Sequence, residues 1–362
     1  MSKQHYIIPI FVPHEGCPHN CVFCNQSSIT GSQNKVDKNF VENTIEEYLK
    51  TIPRNGCTVE VSFFGGTFTA IAMEKQKELL AVAKEYKRAN RINYIRLSTR
   101  PDYIDESILD NLKAYDVDII ELGVQSLDSE VLVKSGRGHN EENVVNASKL
   151  IKSYGFTLGH QIMLGLPGDS FFKDMETTEK LIKLEPEIVR IYPALVIKDT
   201  PMEKMYLDKT YIPYTLEETI KISKVVYGRF ISSGINVIRA GLQPTEEINE
   251  GKDLIAGPFH PAFRELVEGS IINDMLESVI PLNYQGKVVI RLNAKDVSKL
   301  YCNGKQFFNK MKNKLNVSSI KVVQDDLIER EIFEVEVDGI GSNLSLSRYI
   351  LDKYKEGYFC EV

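Results

Sequence analysis

The chain has 362 residues, with 44 basic and 50 acidic side chains for a formal net charge of -6. That near balance excludes a uniformly basic nucleic-acid coat. No apolar run is long enough to cross a bilayer or to serve as a signal segment after Met1-Ser2-Lys3-Gln4-His5, so a cytoplasmic protein without membrane attachment is expected. The length exceeds that of an ordinary single domain and predicts one large core with a smaller appendage. Of the six cysteines, three are clustered, whereas Cys57, Cys302 and Cys360 are scattered, a usage that suits a reducing compartment better than a disulfide framework.

In chain order, a first strand from Tyr6 to Pro13 runs into Cys17-Pro18-His19-Asn20-Cys21-Val22-Phe23-Cys24. Three thiols so close together can aim three thiolates at one centre, and no fourth cysteine nearby completes a closed set, so one coordination position is left open. A zinc knuckle with His14 or His19 as fourth ligand is the alternative. Helical periodicity follows from Asp37 to Leu49, a β-rich run from Thr58 to Phe64 ends in Gly65-Gly66-Thr67, and a helix covers Ala72 to Asn90. Strands Asn93 to Thr99, Asp118 to Gln125, Phe156 to Leu166 and Ile188 to Val196 then alternate with helices Ile104 to Tyr115, Glu141 to Tyr154, Phe171 to Leu184 and Leu216 to Ser233. Six strand-helix units demand parallel strands with right-handed crossovers. The fold class is therefore α/β, a partial (βα)6 TIM-like barrel with functional residues at the carboxyl ends of its strands.

Beyond the barrel, Phe263, Leu266, Val267 and Met275 share one face of a helix, and His260 before it suits a packing or capping role, with the substrate pocket as its alternative. Strands Lys287 to Leu292, Ser319 to Val323 and Ile332 to Val337 with helices Ala294 to Tyr301 and Lys305 to Leu315 form a small α+β module. The expected domains are residues 1–240 (barrel), 241–282 (an extension packing on it) and 283–362 (the module). Between Tyr284 and Gln324, Lys287, Arg291, Lys295, Lys299, Lys305, Lys310, Lys312, Lys314 and Lys321 stand against Asp296 alone, +8 locally and therefore -14 elsewhere. This segregation suits either a solvated lysine face or a phosphate-backbone contact, with Tyr301 and Phe307 as stacking groups.

The C-x3-C-x2-C order, with Phe23 before its last cysteine, resembles the radical S-adenosylmethionine (SAM) superfamily. The resemblance implies that Cys17, Cys21 and Cys24 hold a [4Fe-4S] cluster whose open iron chelates the amino and carboxylate groups of SAM, and that a radical SAM barrel carries them. It further implies reductive cleavage of SAM to a 5′-deoxyadenosyl radical, with ferredoxin or flavodoxin as electron donor. Glu121-Leu122-Gly123-Val124-Gln125-Ser126, Gly136-Arg137-Gly138-His139, His160 to Gly168 and Ile191 to Ile197 are similar to the branch containing the Elongator catalytic subunit and, more distantly, oxygen-independent coproporphyrinogen oxidase. The similarity covers roughly residues 5 to 280.

Carried over residue by residue, SAM contacts fall on Gly65, Gly66, Gln125, Arg137 and Gln161, with Phe23, Thr67 and Ser98 completing the candidate set. Arg137 suits the methionyl carboxylate through paired charge-assisted hydrogen bonds. Ser98 and Gln161 stand where relatives often carry an acidic residue for the ribose. By analogy with the branch the implied substrate is RNA, a tRNA base. Full-length Elongator subunits add an acetyltransferase domain, which residues beyond 280 are too few to form, so this chain is not expected to complete that reaction alone. The alternatives are a radical SAM enzyme or chaperone for a small anionic molecule such as a porphyrin, and a non-enzymatic cluster or zinc protein acting as an RNA adaptor.

Overall fold

The computed structural model describes residues 5–12, 19–25, 36–53, 55–242 and 252–355. By internal packing the chain divides into two compact units, residues 1–214 with 243–258, and residues 215–242 with 259–362.

The first unit is built on parallel strands β1 (His5–Val12), β2 (Thr58–Gly65), β3 (Tyr94–Thr99), β4 (Ile119–Gln125), β5 (Thr157–Leu164) and β6 (Ile188–Pro193), each paired with the next. The short β7 (Val196–Ile197) pairs antiparallel with β9 (Leu254–Ala256), and β8 (Asn236–Ala240) belongs to the second unit. Helices cross between the strands and start where a short polar side chain can cap them. Asp37 accepts from the Phe40 N–H, Asp105 from Ile108 and Asp128 from Val131, each at 2.9 Å, at the starts of helices Lys38–Thr51, Glu106–Ala114 and Ser129–Lys134. The six parallel strands expected from periodicity are present in the expected order, whereas β9 was not marked by it.

The two faces of this sheet differ in chemistry. One face is apolar and buried, with Ile8, Ile10, Val61, Phe63, Ile95, Leu97, Ile120, Leu122, Leu158, Ile162, Val189 and Ile191 all at 1 % exposure or less. The other carries Glu60 and Phe64 on β2, Arg96 and Ser98 on β3, Glu121 and Gly123 on β4, Gln161 on β5, and Arg190 and Tyr192 on β6. Its charges close into a chain: Arg96 bridges Glu60 (2.8 Å) and Glu121 (3.1 Å), and Arg190 Nε donates to the same Glu121 oxygen at 2.7 Å. Glu121 reaches Arg190 across the intervening β5, where a Cβ on Gly159 would lie 2.7 Å from Glu121 Cγ and 3.0 Å from Ile188, so glycine is required there. The guanidinium of Arg190 also lies 5.3 Å from the ring centroid of Phe64, four strands away. Strands four apart can touch only if the sheet curls, so the charged face is the concave one.

After β5, the loop carries the half-buried Asp169 and the first turn of helix Phe171–Ile182 the buried Asp174. Asp169 accepts from the N–H groups of Gly165 (3.3 Å) and Ser170 (2.9 Å), and Asp174 accepts from the Tyr214 hydroxyl at 3.4 Å. Burial lifts Asp169 to about 6, and burial with the charge of Asp169 holds Asp174 well above the carboxylate range. The unfolded chain releases such protons near 3.8 and the folded chain only near 6 or above, so folded stability falls as pH rises through that window. Asp174→Asn is expected to raise the thermal midpoint at pH 8 and to flatten its pH dependence, by about 1.4 kcal/mol for each pH unit of separation removed. Scanning calorimetry from pH 4 to 8 checks this, and a variant less stable than wild type at pH 8 contradicts it.

In the second unit, helix Phe263–Glu277 is buried on most sides by Phe263, Leu266, Val267, Ile271, Ile272, Met275 and Leu276, broader burial than the single face read from sequence. Its buried Glu268 is satisfied by Lys299 (2.8 Å), Arg264 (2.7 Å) and the Tyr227 hydroxyl (3.1 Å). His260 accepts from the Ala262 N–H through Nδ1 at 3.1 Å, the capping role. A four-stranded sheet follows in the order β11 (Ser319–Gln324), β10 (Lys287–Leu292), β12 (Ile332–Val337), β13 (Ile340–Ser345). Phe308, Met311 and Leu315 form the buried stripe of helix Gln306–Leu315, as periodicity indicated.

Candidate active site

The described candidate residues lie at the carboxyl ends of β1 to β5 and in the segments that follow them. Cys17 lies outside the described residues, as does His14. Cys21 is buried and Cys24 half-buried, on a turn in which the Cys24 N–H donates to the Cys21 carbonyl at 3.0 Å. The turn is tied down on both sides: the Val22 N–H donates to the Ser135 carbonyl (3.0 Å) and the Val22 carbonyl accepts from the Met202 N–H (2.9 Å). Phe23 anchors it, packing against Val131, Leu166 and Ala194 and against Val196, Met202 and Tyr211. The aromatic before the last cysteine thus positions the loop from behind. Among the described residues no three His, Cys, Asp or Glu side chains converge, the third thiol of the set being Cys17.

Arg137 is 5 % exposed and reaches this turn from the segment after β4, its Nη1 donating to Cys21 Sγ at 3.4 Å and its Nη2 to the Gly123 carbonyl. Its Nε has no hydrogen-bond partner, and burial draws its pKa down, the Cys21 thiol countering and Arg100 adding to the effect. A buried guanidinium with an unused donor beside a second guanidinium requires anionic partners. Thiolates and a carboxylate are such partners, so the residues present fit a thiolate-held cluster with SAM bound to it. Arg100, unassigned at the sequence level, grips Asp102 through two 2.9 Å bonds and donates to the Arg137 carbonyl. The only sign of its role in the sequence is the Arg-Pro-Asp at the end of a strand. His19 Nε2 lies 3.7 Å from Asp102.

Gln125 is buried with φ of 68°, a left-handed backbone rare for a residue with a side chain, next to a register shift between β4 and β5. Such strain persists where the surrounding structure imposes it and concentrates at functional positions. Its Oε1 accepts from Gln161 Nε2 at 3.4 Å, which joins two of the candidate SAM contacts directly. Ser98 Oγ donates to Glu121 Oε2 at 3.3 Å, so the hydroxyl at the expected ribose position is tied to a carboxylate one strand away. Gly65 has φ of +107°, and a Cβ there would lie 2.3 Å from the Val12 carbonyl oxygen; the Gly66 N–H donates to the same oxygen at 3.1 Å. The close approach that demands glycine at position 65 is therefore the one to β1. Thr67 is buried beside them, its carbonyl accepting from the Ala70 N–H.

Residues 11–182 match the model of the Radical SAM superfamily and residues 186–273 that of the Radical_SAM C-terminal domain. The chain belongs to the radical SAM superfamily. The cofactors of this family are a [4Fe-4S] cluster and SAM. The chain is 29% identical over 262 residues to the tRNA uridine(34) acetyltransferase of Methanocaldococcus jannaschii, covering 60% of this chain and 47% of that one. An uncharacterised protein of the same archaeon is 33% identical over 223 residues, covering 58% of this chain and 67% of the other. The chain thus spans about half the length of the curated acetyltransferases it matches. In fold it is similar to the archaeal Methanocaldococcus infernus Elp3, with a TM-score of 0.60 at 23% identity, over 76% of this chain and 64% of that one. Among the described residues no helix is long and apolar enough to cross a membrane.

Proposed function

We propose that the chain is a radical SAM enzyme acting on RNA, with a tRNA base as substrate. Cys17, Cys21 and Cys24 would hold the cluster, and Gly65, Gly66, Thr67, Ser98, Gln125, Arg137 and Gln161 would surround SAM, with Phe23 buttressing the loop. Once reduced, with a ferredoxin or flavodoxin as donor, the bound cofactors would supply a radical able to abstract hydrogen. The observation that carries this assignment is the buried Arg137 guanidinium, in contact with Cys21 and with one donor still unused. The RNA substrate rests on the relatives named for tRNA uridine modification. In functional terms residues 1–240 would carry the chemistry, 241–282 would extend it, and 283–362 would bind the substrate.

A small-molecule role is the second candidate, supported by 23% identity over 238 residues to the heme chaperone HemW of Bacillus subtilis. Incubating the reduced, reconstituted protein with SAM and total tRNA separates the two. tRNA should accelerate 5′-deoxyadenosine formation and acquire a new nucleoside mass; acceleration by a porphyrin instead would remove RNA as the substrate.

The C-terminal lysines give a further test. Lys299 is withdrawn into ion pairs with Glu268 and Glu331, Arg291 pairs with Glu336, and Lys310 and Lys314 face Glu217 and Glu277. The Lys310 and Lys314 side chains nonetheless remain 72% and 66% exposed, and exposed pairs of this kind are weak enough for a phosphate to displace. Affinity for tRNA should fall linearly with salt on a log-log plot, and a Lys310/Lys312/Lys314 triple alanine variant should flatten the slope by about one to three units. An unchanged slope in a filter-binding titration would leave these lysines a solvated face.

A further inference from the structure

The concave face of the sheet carries a group of side chains outside the candidate cluster and SAM contacts named above. Arg190 on β6 is 7% exposed and fixed on three sides: its Nε donates to Glu121, its Nη1 lies 3.4 Å from the Tyr192 hydroxyl, and its guanidinium covers the Phe64 ring at 5.3 Å. In the register of β5 with β6, Arg190 stands opposite Gln161 and Tyr192 opposite Met163. The group therefore begins beside Gln161, which touches Gln125, and continues one step toward the carboxyl ends of the strands. Phe64 and Tyr192 are only partly buried there, and Phe11 adds a second ring 6.2 Å from Phe64.

The chemistry of this wall is specific. Glu60 and Glu121 balance Arg96 and Arg190, two negative against two positive charges, so the buried chain has no net charge with which to capture a polyanion. Because the Tyr192 oxygen accepts from Arg190, the hydroxyl hydrogen is directed elsewhere and can be donated to a carbonyl oxygen. Partly exposed aromatic rings, Phe64 with one face taken by Arg190 and Phe11 beside it, next to an oriented hydroxyl donor suit a neutral planar ring bearing a carbonyl, which a pyrimidine base is and a porphyrin tetracarboxylate is not.

We propose that Tyr192, oriented by Arg190 and backed by Phe64, is the residue that reads the substrate base, donating its hydroxyl hydrogen to a carbonyl of a pyrimidine ring placed against Phe64. This rests on the RNA assignment made above and names the part of the site that would recognise the base. Glu121 and Arg190 are positioning residues in this scheme, since they act through Tyr192.

The test uses the full chain, reconstituted and reduced, with total tRNA as the probe, comparing wild type with Tyr192→Phe and Phe64→Leu. Loss of one hydroxyl donor should raise the tRNA concentration for half-maximal 5′-deoxyadenosine formation about tenfold, and loss of the ring face should raise it by a similar factor. Iron content and SAM affinity measured on the same samples report the fold. Half-saturation of Tyr192→Phe equal to wild type overturns the proposal while leaving tRNA as the substrate. If tRNA neither binds nor accelerates the wild-type enzyme, the RNA assignment fails and this proposal fails with it. A Phe64→Leu variant that loses iron is a folding defect, and the decision then rests on Tyr192→Phe alone.

Discussion

A Cys21→Ala chain, reconstituted anaerobically with iron and sulfide, is expected to hold almost no iron where the wild type holds about four irons and four sulfides. Cys21 is the thiol with the most structural support: it is buried, it sits on a turn anchored through Val22 to Ser135 and Met202, and it lies 3.4 Å from Arg137 and 4.0 Å from Arg100. Two guanidiniums beside this sulfur place positive charge next to the thiolates a cluster would need. Alanine removes the ligand and little volume, so the fold should survive and the loss should be confined to the metal. Iron and sulfide assays with electron paramagnetic resonance of the reduced sample measure it. Wild-type protein that returns stoichiometric zinc and negligible iron would establish the zinc knuckle instead.

Arg137→Lys should leave the cluster in place and lower SAM affinity about ten- to a hundredfold, the range for losing one charge-assisted hydrogen bond. Lysine keeps the charge but loses the planar fork, and the fork is in use at both ends: Nη1 on Cys21 and Nη2 on the Gly123 carbonyl, with Nε left for a ligand. An ammonium cannot satisfy those directions at once. Equilibrium binding of SAM to the reconstituted variant provides the measurement, and wild-type affinity with intact iron would place the carboxylate partner elsewhere. Because Arg100 touches the Arg137 carbonyl rather than its guanidinium, Arg100 should matter for placing Arg137 more than for binding SAM.

Much of the first unit was readable because its signals are local. Asp105 and Asp128 cap the helices that follow them, and each strand from β1 to β5 falls within a residue or two of a run with the right periodicity, whereas β6 ends at Pro193, three residues short of the run, because Val196 belongs to β7. β8 and β13 escaped because their sequences, Asn236 to Ala240 and Ile340 to Ser345, are short and weakly patterned, and only their neighbours make them strands. The basic segment shows the opposite limit. Its composition was plain, but which lysines are paired depends on carboxylates far away in sequence, such as Glu217 against Lys310 and Glu268 against Lys299.

By itself, the sequence determined the cysteine spacing, the flanking glycines of Arg137 and the strand-helix alternation, because each is fixed by covalent distance or by a period of a few residues. Only the tertiary structure decided that Arg137 reaches Cys21, that Gln125 is held in a left-handed conformation against Gln161, and that Arg190 meets Glu121 across β5 and covers Phe64 four strands away. Charges inside strands carry no period that marks their partners. The curl of the sheet selects those partners, setting side chains from non-adjacent strands on one concave face where burial compels them to pair.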